Sequence, residues 1–156
     1  MPQHAKDLTF STDGEVDVID LTEDVDEIVQ ADGVELGQVL VHTLSSTSAI
    51  TTLEHEPGLA EEDLPEALDR LFPRHGDAAP TTADGQSAAK RMDYGHQRRW
   101  QDGNGHSHVR AAFIGPEITA PVQNGRLRLG TWEQIVFVEL DNEPRERTVA
   151  VHVWGE

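Results

Sequence analysis

The spacing of hydrophobic residues predicts two amphipathic helices. Val25, Ile28 and Val29 recur at the i, i+3, i+4 interval of one helical face, which places a first helix at residues 22–31. Leucine and alanine side chains recur at a similar interval later in the chain and predict a second helix at residues 61–72. Each helix therefore presents one apolar stripe that must pack against another part of the protein.

The other apolar segments are short and rich in β-branched residues, which is typical of strands. In chain order, the predicted strands are 8–10, 16–18, 37–43, 49–54, 109–114, 118–122, 127–129, 135–140 and 148–154. Turn residues at 12–14 predict that the first two strands form a hairpin, and Asn124-Gly125 predicts another. The predicted fold class is α+β: an antiparallel, β-rich, sandwich-like sheet with two main helices, in a single domain of residues 1–156.

Residues 74–91 show no apolar periodicity. The segment is polar, is rich in Ala, Asp, Gly and Thr, and is longer than an ordinary connection between elements. We therefore predict a flexible insertion or a lid at 74–91, shortly before the most polar motif of the chain.

The charge of the chain is strongly negative. Asp and Glu total 29 against 12 Lys and Arg, which gives a formal net charge of −17, and only Lys6 and Lys90 are lysines. An acidic surface that nearly lacks lysine is typical of proteins in concentrated salt, where self-repulsion is screened. We expect a halophilic protein, and an ordinary acidic protein is the alternative. Nucleic-acid binding is not expected, because no basic patch would release counterions.

The sequence contains no pattern that directs a chain to a membrane. No apolar run approaches the length of a membrane span, and the N-terminus does not show a signal-peptide pattern. The absence of cysteine excludes disulfides and thiolate metal sites. We expect a cytoplasmic protein with no membrane partner.

The stretch from Asp102 to Arg110, with the sequence DGNGHSHVR, concentrates polar chemistry. If residues 106–110 formed a strand, His106, His108 and Arg110 would lie on one face. Imidazoles bind metals or transfer protons near neutral pH, and a guanidinium binds phosphate or carboxylate. The pattern indicates an anion- or metal-binding site, and two histidines exposed on a polar strand are the alternative.

Two further features would complete such a site. His96 could join the two histidines of this stretch as the third nitrogen ligand of an open zinc site, and magnesium is the other divalent metal considered. Ser46, Thr47 and Ser48 lie between two predicted strands, where hydroxyls can bind phosphate oxygens. Such a row more often satisfies the backbone of its own turn, and both interpretations stay open.

Several motifs follow one another in an order that resembles the YjbQ family, in particular its archaeal members. The resemblance extends from about Val39 to Glu156. The motifs are Ser46-Thr47-Ser48-Ala49-Ile50-Thr51-Thr52-Leu53-Glu54, Tyr94-Gly95-His96, Asp102-Gly103-Asn104-Gly105-His106-Ser107-His108, Gly115-Pro116, Pro121-Val122, Gly125-Arg126-Leu127, Gly130-Thr131-Trp132, Glu139-Leu140-Asp141 and Gly155-Glu156. On these motifs the chain is identified as a member of the family.

The resemblance implies a fold, an assembly and an activity. The resemblance implies a compact α+β subunit that assembles as a homotrimer, with polar residues near the subunit contacts. Some members of the family have a weak thiamine-phosphate synthase activity, which joins hydroxymethylpyrimidine diphosphate to a thiazole phosphate and releases pyrophosphate. By position, His96, Asn104 and His108 match the family's histidine and its Asn-x-x-x-His element, while Glu54 and Trp132 match its acid and its tryptophan.

These matches predict a site for diphosphate displacement on a small phosphorylated molecule. His96 and His108, with Asn104, would be catalytic, and the histidines would act as general acid and base or hold a divalent metal. The predicted substrate-binding residues are Ser46, Thr47, Ser48, Glu54, Arg110 and Trp132. Among them, Arg110 would neutralise charge as pyrophosphate leaves.

Each assignment has a structural alternative. His96 and His108 could instead form a hydrogen-bonded pair at a trimer contact. Trp132 could pack in the core, and Glu54 could be one more surface carboxylate of an acidic protein. A second hypothesis, of a different class, is a non-catalytic trimer that binds a small phosphorylated metabolite or a partner protein.

Overall fold

Two antiparallel sheets form the framework of the computed structural model, which describes residues 3–74 and 92–156. The strands are Gln3–Ser11 (β1), Asp17–Asp20 (β2), Leu36–Thr43 (β3), Ser48–Leu53 (β4), Glu117–Gln123 (β5), Arg126–Leu127 (β6), Gln134–Glu139 (β7) and Glu146–Gly155 (β8). The helices are Thr22–Asp32 (α1), Leu64–Leu71 (α2), Gly95–Trp100 (α3) and Gly105–Ile114 (α4), and a π-helical turn, Gly58–Asp63, leads directly into α2. One sheet has the order β1-β8-β3-β5-β6 and the other β2-β7-β4.

Alternating valines fix the register of the five-stranded sheet. β3 and β8 pair antiparallel, with Val39 opposite Val153 and Val41 opposite Val151. All four side chains are buried, because the side-chain period of two turns them to the same face. A slip of one residue would expose the whole row, so the hydrophobic pattern fixes the register of these two strands once they pair.

Helix α1 packs on the inner face of this sheet, and the predicted helix at 22–31 is confirmed. Val25, Ile28 and Val29 are buried in the main apolar cluster. The helix ends at Gly33, whose φ of 69° is the left-handed conformation that glycine adopts most readily. Burial of each aliphatic side chain contributes roughly 1.5–3 kcal/mol, so this stripe holds the helix in place.

Strand β7 lies between two apolar clusters. Ile135 and Phe137 belong to the cluster that contains α1, while Val136 and Val138 belong to a second cluster on the other side. The second cluster also contains Ala111 of α4. The smaller sheet therefore supports α4, which carries part of the candidate site.

The predicted hairpin between residues 8–10 and 16–18 is not formed. β1 pairs with β8 in the larger sheet, whereas β2 pairs with β7 in the smaller one. The intervening turn carries the chain between the sheets, and its Thr12 N–H donates to the Arg145 carbonyl at 2.8 Å. Alternation sets the face that a strand presents but not its partner, so the local pattern did not identify the pairing.

Residues 106–114 form a helix, although a strand was predicted at 109–114, and a strand at 106–110 was the condition for placing His106, His108 and Arg110 on one face. Helix α4 begins after Asn104, a residue type favoured at helix N-termini, and ends before Gly115. At 100° per residue, His106 and Arg110 share one face and His108 lies on another. The prediction that all three side chains share a face is therefore wrong.

The fold class is α+β with antiparallel sheets, as predicted. Both predicted helices are present, but residues 58–63 form the π-helical turn, and α3 and α4 were not predicted as helices. Within the described ranges, no helix is long and apolar enough to cross a membrane. Apart from Arg74, the insertion predicted at 74–91 lies outside the described residues.

Candidate functional site

Two histidines from different helices meet beside the smaller sheet. His96 lies in the first turn of α3 and His108 in the first turn of α4, and their ring centroids are 4.4 Å apart with an interplanar angle of 37°. Both residues are partly accessible to solvent. The predicted convergence of these two imidazoles is therefore present, even though the local structure around His108 was predicted incorrectly.

A glycine at the start of α4 allows the two helices to approach this closely. A Cβ atom added to Gly105 would lie 2.7 Å from the Cβ of Tyr94 and 3.6 Å from the Cβ of His96. Tyr94 immediately precedes α3 and is buried, and its hydroxyl donates to the Pro73 carbonyl at 2.7 Å. Any larger residue at 105 would have to displace the backbone that carries Tyr94 at the start of α3, because the closest contact is with its Cβ atom.

The short loop between the two helices is fixed by hydrogen bonds. The Gly103 N–H donates to Gln97 Oε1 at 2.6 Å, and the Asn142 amide donates to the Asp102 carbonyl at 3.1 Å. Gly103 has a φ of 76°, and Gln101 has a φ of 57°. This left-handed geometry reverses the chain within four residues, which returns α4 to α3.

Asp102 lies in this loop and contacts two of the predicted catalytic residues, His96 and Asn104. Its Oδ1 is 3.3 Å from His96 Nδ1, which is an ion-pair distance without the alignment of a hydrogen bond. With the Asn104 amide turned so that both side chains are satisfied, its Nδ2 donates to Asp102 Oδ1 at 2.9 Å and Oδ2 at 3.3 Å. Asn104, predicted as a catalytic residue, is thus engaged by a carboxylate in the free protein.

Burial and the neighbouring His96 lower the pKa of His108 below its ordinary value of 6.5. The carboxylates of Asp102 and Asp141 oppose this change in pKa, as does a backbone hydrogen bond to Ser46. The net effect favours a neutral imidazole at neutral pH. His108 is therefore suited to accept a proton.

The predicted phosphate-binding hydroxyls have mostly structural partners. Thr47 Oγ1 donates to Asp141 Oδ2 at 2.9 Å and accepts a hydrogen bond from Arg147 at 2.9 Å. The Ser48 hydroxyl is buried and pairs with Thr43 Oγ1 at 2.7 Å. Ser46 is exposed and lies against His108 through its backbone, so it is the member of the row that is open to a ligand.

A buried ion pair anchors the hydroxyl row. Arg147 binds both oxygens of the fully buried Glu139, at 2.7 Å from Nε and 2.6 Å from Nη2. Its Nη1 also donates to Ser45 Oγ at 2.8 Å. Glu139 further accepts a hydrogen bond from Thr12 Oγ1 at 2.7 Å. This network joins the two sheets and leaves the Arg147 guanidinium little capacity for a ligand.

Arg110, predicted to neutralise a leaving pyrophosphate, is fully buried on the far side of α4. Its guanidinium donates to Glu15 at 2.9 Å and to the Phe72 carbonyl at 2.7 and 3.0 Å, and it also pairs with Asp69. Glu15 in turn lies 2.9 Å from His106 Nε2. Arg110 and His106 therefore hold α4 in place rather than face a substrate, which corrects the prediction for Arg110.

The three predicted metal ligands do not converge within the subunit. His96 and His108 are together, but His106 lies on the opposite face of α4, bound to Glu15. In residues 3–74 and 92–156, no cluster of three or more His, Asp or Glu side chains is arranged to hold a metal. Two imidazoles do not supply the three protein ligands of an open zinc site, and magnesium prefers oxygen ligands. The described residues of one subunit therefore do not fit the predicted divalent metal.

Glu54 and Trp132 lie away from the histidine pair. Leu53 pairs with Gln134 at one end of the β4–β7 ladder, and Ser48 pairs with Glu139 at the other. The two ends are about 17 Å apart at the usual rise per strand residue. Glu54 and Trp132 flank the first end, whereas His108 is hydrogen-bonded to the backbone of Ser46, which lies two residues before the second end. Trp132 is 71% exposed, so it is not a core residue either.

Three residues that shape this site, Asp102, Asp141 and Gly105, were not predicted as site residues from the sequence. Asp102 was part of the motif, but a single carboxylate does not stand out in a chain with 29 of them. Asp141 reaches the site only through the pairing of β4 with β7, which no local pattern reveals. For Gly105, the signal was its place in a glycine-spaced polar motif, which is typical of close backbone approach.

The fold and the site define a class: a small α+β protein with a paired-histidine site where two short helices meet the smaller of two antiparallel sheets. A family model described as UPF0047 protein YjbQ-like matches residues 6–156. The chain belongs to this family.

Relatives and solved structures agree with this assignment. UPF0047 proteins from Archaeoglobus fulgidus and Methanothermobacter thermautotrophicus are each 35% identical to the chain, over 93% and 100% of its length and 97% and 95% of theirs. The crystal structure of a YbjQ-like protein from Sulfolobus solfataricus P2 has a TM-score of 0.80 and 30% identity, and 99% of both chains is covered. A Clostridium acetobutylicum structure of the yjbq/upf0047 family has a TM-score of 0.77 and 30% identity, covering 96% of this chain and 99% of that one. The S. solfataricus protein is itself described as being of unknown function, so the chemistry must be argued from the site.

Proposed function

We propose that the protein catalyses a condensation of the secondary thiamine-phosphate synthase type, in which hydroxymethylpyrimidine diphosphate and a thiazole phosphate give thiamine phosphate and pyrophosphate. The observation that carries the proposal is the approach of the His96 and His108 rings to 4.4 Å at a partly accessible position. The resemblance to the YjbQ family supplies the substrate class.

The chemistry requires one bond to form and one to break. The thiazole nitrogen attacks the methylene carbon, and the C–O bond to the diphosphate breaks, so that pyrophosphate leaves with the bonding electrons. A protonated His96 would donate a proton to the leaving pyrophosphate. Neutral His108 would accept the proton that the exocyclic amine of the pyrimidine loses as the C–O bond breaks, and the amine regains a proton from solvent in the product. Two imidazoles with different surroundings suit these opposite roles, since environment separates acid from base.

Arg145 can fill the electrostatic role that Arg110 does not. Its side chain is 41% exposed and lies 3.3 Å from Asp141, which faces the His108 side of the site. A second cation would offset the charge that develops on pyrophosphate. The Ser46 hydroxyl, which is exposed, completes the set of groups available to phosphate oxygens.

A second candidate function is a non-catalytic subunit that binds a small phosphorylated metabolite. It is favoured by the saturation of Thr47, Ser48 and Arg110 with structural partners, which leaves few groups free to stabilise a transition state.

In either case we propose that the protein assembles as a homotrimer. Light scattering in molar salt should give the mass of three subunits, and the mass of one subunit would contradict this assembly.

Steady-state assay of thiamine phosphate and pyrophosphate tests the proposed activity. We expect the wild-type protein to form both products in equal amounts, and His96→Gln and His108→Gln to lower kcat by about 10²-fold, the usual contribution of a general acid or base. The matched control is His152→Gln, which removes an exposed histidine of β8. Saturable binding of both substrates without product, retained in His96→Gln, would instead support the binding protein.

A further inference from the structure

One carboxylate connects the groups that define the histidine pair. Asp102 Oδ1 lies 3.3 Å from His96 Nδ1 and accepts a hydrogen bond from the Asn104 amide at 2.9 Å. Asp102 is itself 45% exposed, so solvent or a ligand can reach it. It is therefore in contact with the site and is not part of the buried framework.

Asn104 extends this connection to the second histidine. Its backbone carbonyl accepts hydrogen bonds from the Ser107 N–H at 3.0 Å and the His108 N–H at 3.3 Å, and these two bonds form the start of α4. Asp102 holds the side chain of Asn104, and the backbone of Asn104 holds the N–H of His108. Contacts therefore link His96 to Asp102, Asp102 to Asn104 and Asn104 to His108, and the His108 ring in turn contacts the His96 ring.

The Asp102 backbone is fixed independently of its carboxylate. The Asn142 amide binds the Asp102 carbonyl, and Gln97 Oε1 accepts a hydrogen bond from the next N–H in the chain. Loss of the carboxylate alone should therefore leave the loop in place. The carboxylate contributes orientation of the side chains around it, not the shape of the loop.

We propose that Asp102 is the positioning residue of this site: its carboxylate holds the Nδ1–H of His96 and the amide of Asn104 at once and so sets the orientation of both imidazoles. The proposal deepens the proposed function and rests on it for its catalytic consequence, but its structural part does not depend on the reaction.

The expected consequence is a fixed tautomer of His96. A carboxylate beside Nδ1 favours a proton on that nitrogen, and Nε2 is then free to exchange a proton with a substrate. At 3.3 Å this preference comes from the charge of the carboxylate and already holds in the free protein, while hydrogen-bond alignment of such contacts is often gained only when the substrate is bound. Reorientation of the His96 ring without this carboxylate would cost catalytic rate more than substrate affinity.

Side-chain 15N NMR of the substrate-free protein above neutral pH tests the structural part. Wild-type His96 should carry its proton on Nδ1, and Asp102→Asn should shift it toward the Nε2–H tautomer, while the matched surface control Asp7→Asn should leave it unchanged. A wild-type His96 protonated on Nε2 would overturn the proposal without any variant. An unchanged Nδ1–H tautomer in Asp102→Asn would also overturn it.

Kinetics of the same variants separate this proposal from the proposed function. Asp102→Asn should lower kcat by about 10²-fold with little change in KM, and Asp102→Glu, which keeps the carboxylate, should recover part of that loss. An Asp102→Asn enzyme with the wild-type kcat would overturn the positioning role. If the wild-type protein shows no synthase activity but His96 changes tautomer as expected, the proposed function fails and Asp102 remains the positioning residue.

Discussion

At the scale of single residues, the site depends on two histidines whose surroundings differ. His96 lies 3.3 Å from the Asp102 carboxylate, whereas His108 is partly buried beside His96, with a hydrogen bond to the Ser46 backbone. Chemical asymmetry of this kind distinguishes a proton donor from a proton acceptor. It also has a thermodynamic consequence that can be measured without a substrate.

The lowered pKa of His108 predicts a loss of stability in mild acid. Because the folded-state pKa lies below the ordinary value of 6.5, the unfolded chain binds a proton first as the pH falls. The free energy of unfolding should therefore be independent of this group above pH 6.5 and should decline below it. Urea denaturation should show a shallower decline for His108→Gln than for the wild type.

The matched variant His152→Gln controls for the loss of a histidine as such. It should keep the wild-type decline, since His152 is exposed on β8. If His108→Gln and the wild type lose stability in parallel between pH 6.5 and the onset of acid unfolding, the environment assigned to His108 is wrong.

At the scale of elements, the site is made by α3 and α4, and Gly105 at the start of α4 allows the two helices to approach closely. One face of α4 presents His108 to the site, and the other buries His106 and Arg110 against Glu15. Loss of one partner of a buried ion pair typically costs about 3–5 kcal/mol, so this far face holds the helix firmly. The helix can then present His108 in one orientation.

Gly105→Ala tests whether close approach of the helices creates the site. The added Cβ would lie 2.7 Å from Tyr94 Cβ, so α3 and α4 must separate. We expect a loss of about 1–3 kcal/mol in the free energy of unfolding, the usual cost of overpacking. Activity should fall more than stability explains, because the His96–His108 distance grows.

Gly95→Ala is the control, since its added Cβ would meet only Arg98 Nη2, at 3.5 Å. It should keep wild-type stability and activity. A Gly105→Ala protein as stable and as active as Gly95→Ala would show that the close contact is not required.

The same elements show what the sequence could and could not predict. The strands at 37–43 and 148–154 and the apolar stripe of α1 were predicted correctly from their apolar residues, whereas the pairing of β3 with β8 was not predicted. The motif at 102–110 has no strong period, and its two histidines two residues apart fit a strand as well as a helix. The choice depends on tertiary contacts of Ala111 and Arg110 that are distant in sequence.

The residues of the candidate site likewise divide into those that the sequence predicts and those whose position depends on the tertiary structure. His108 was singled out by the His-x-His motif, and His96 by its match to the family's histidine. Glu54 and Trp132 were assigned to the site by the resemblance, and Arg110 by its chemistry and spacing, but the positions of all three depend on strand length and helix face. Asp102 was not singled out, because its importance comes only from the loop that turns it toward His96.

At the scale of the whole molecule, the net charge of −17 dominates the electrostatics. Arg110 and Arg147 are buried against the carboxylates of Glu15 and Glu139, so two of the ten arginines do not offset the surface carboxylates. We propose that the protein is adapted to concentrated salt. Screening would then relieve repulsion that the fold cannot relieve internally.

This proposal predicts that salt stabilises the protein. The urea midpoint should rise steadily from dilute buffer to molar KCl, because screening removes repulsion from the compact state more than from the expanded chain. Sucrose is the matched control, since it strengthens burial without screening charge. A midpoint that does not change with KCl, or that rises equally in sucrose, would contradict the proposal.

The most direct test of the whole account is a double-mutant cycle on His96 and His108, measured as kcat for pyrophosphate release. If the two imidazoles act as one unit, His96→Gln and His108→Gln should each lower kcat by about 10²-fold, and the double variant should be little slower than either single variant. Fully additive losses, or single variants with wild-type rates, would contradict the claim that this pair is the reactive centre.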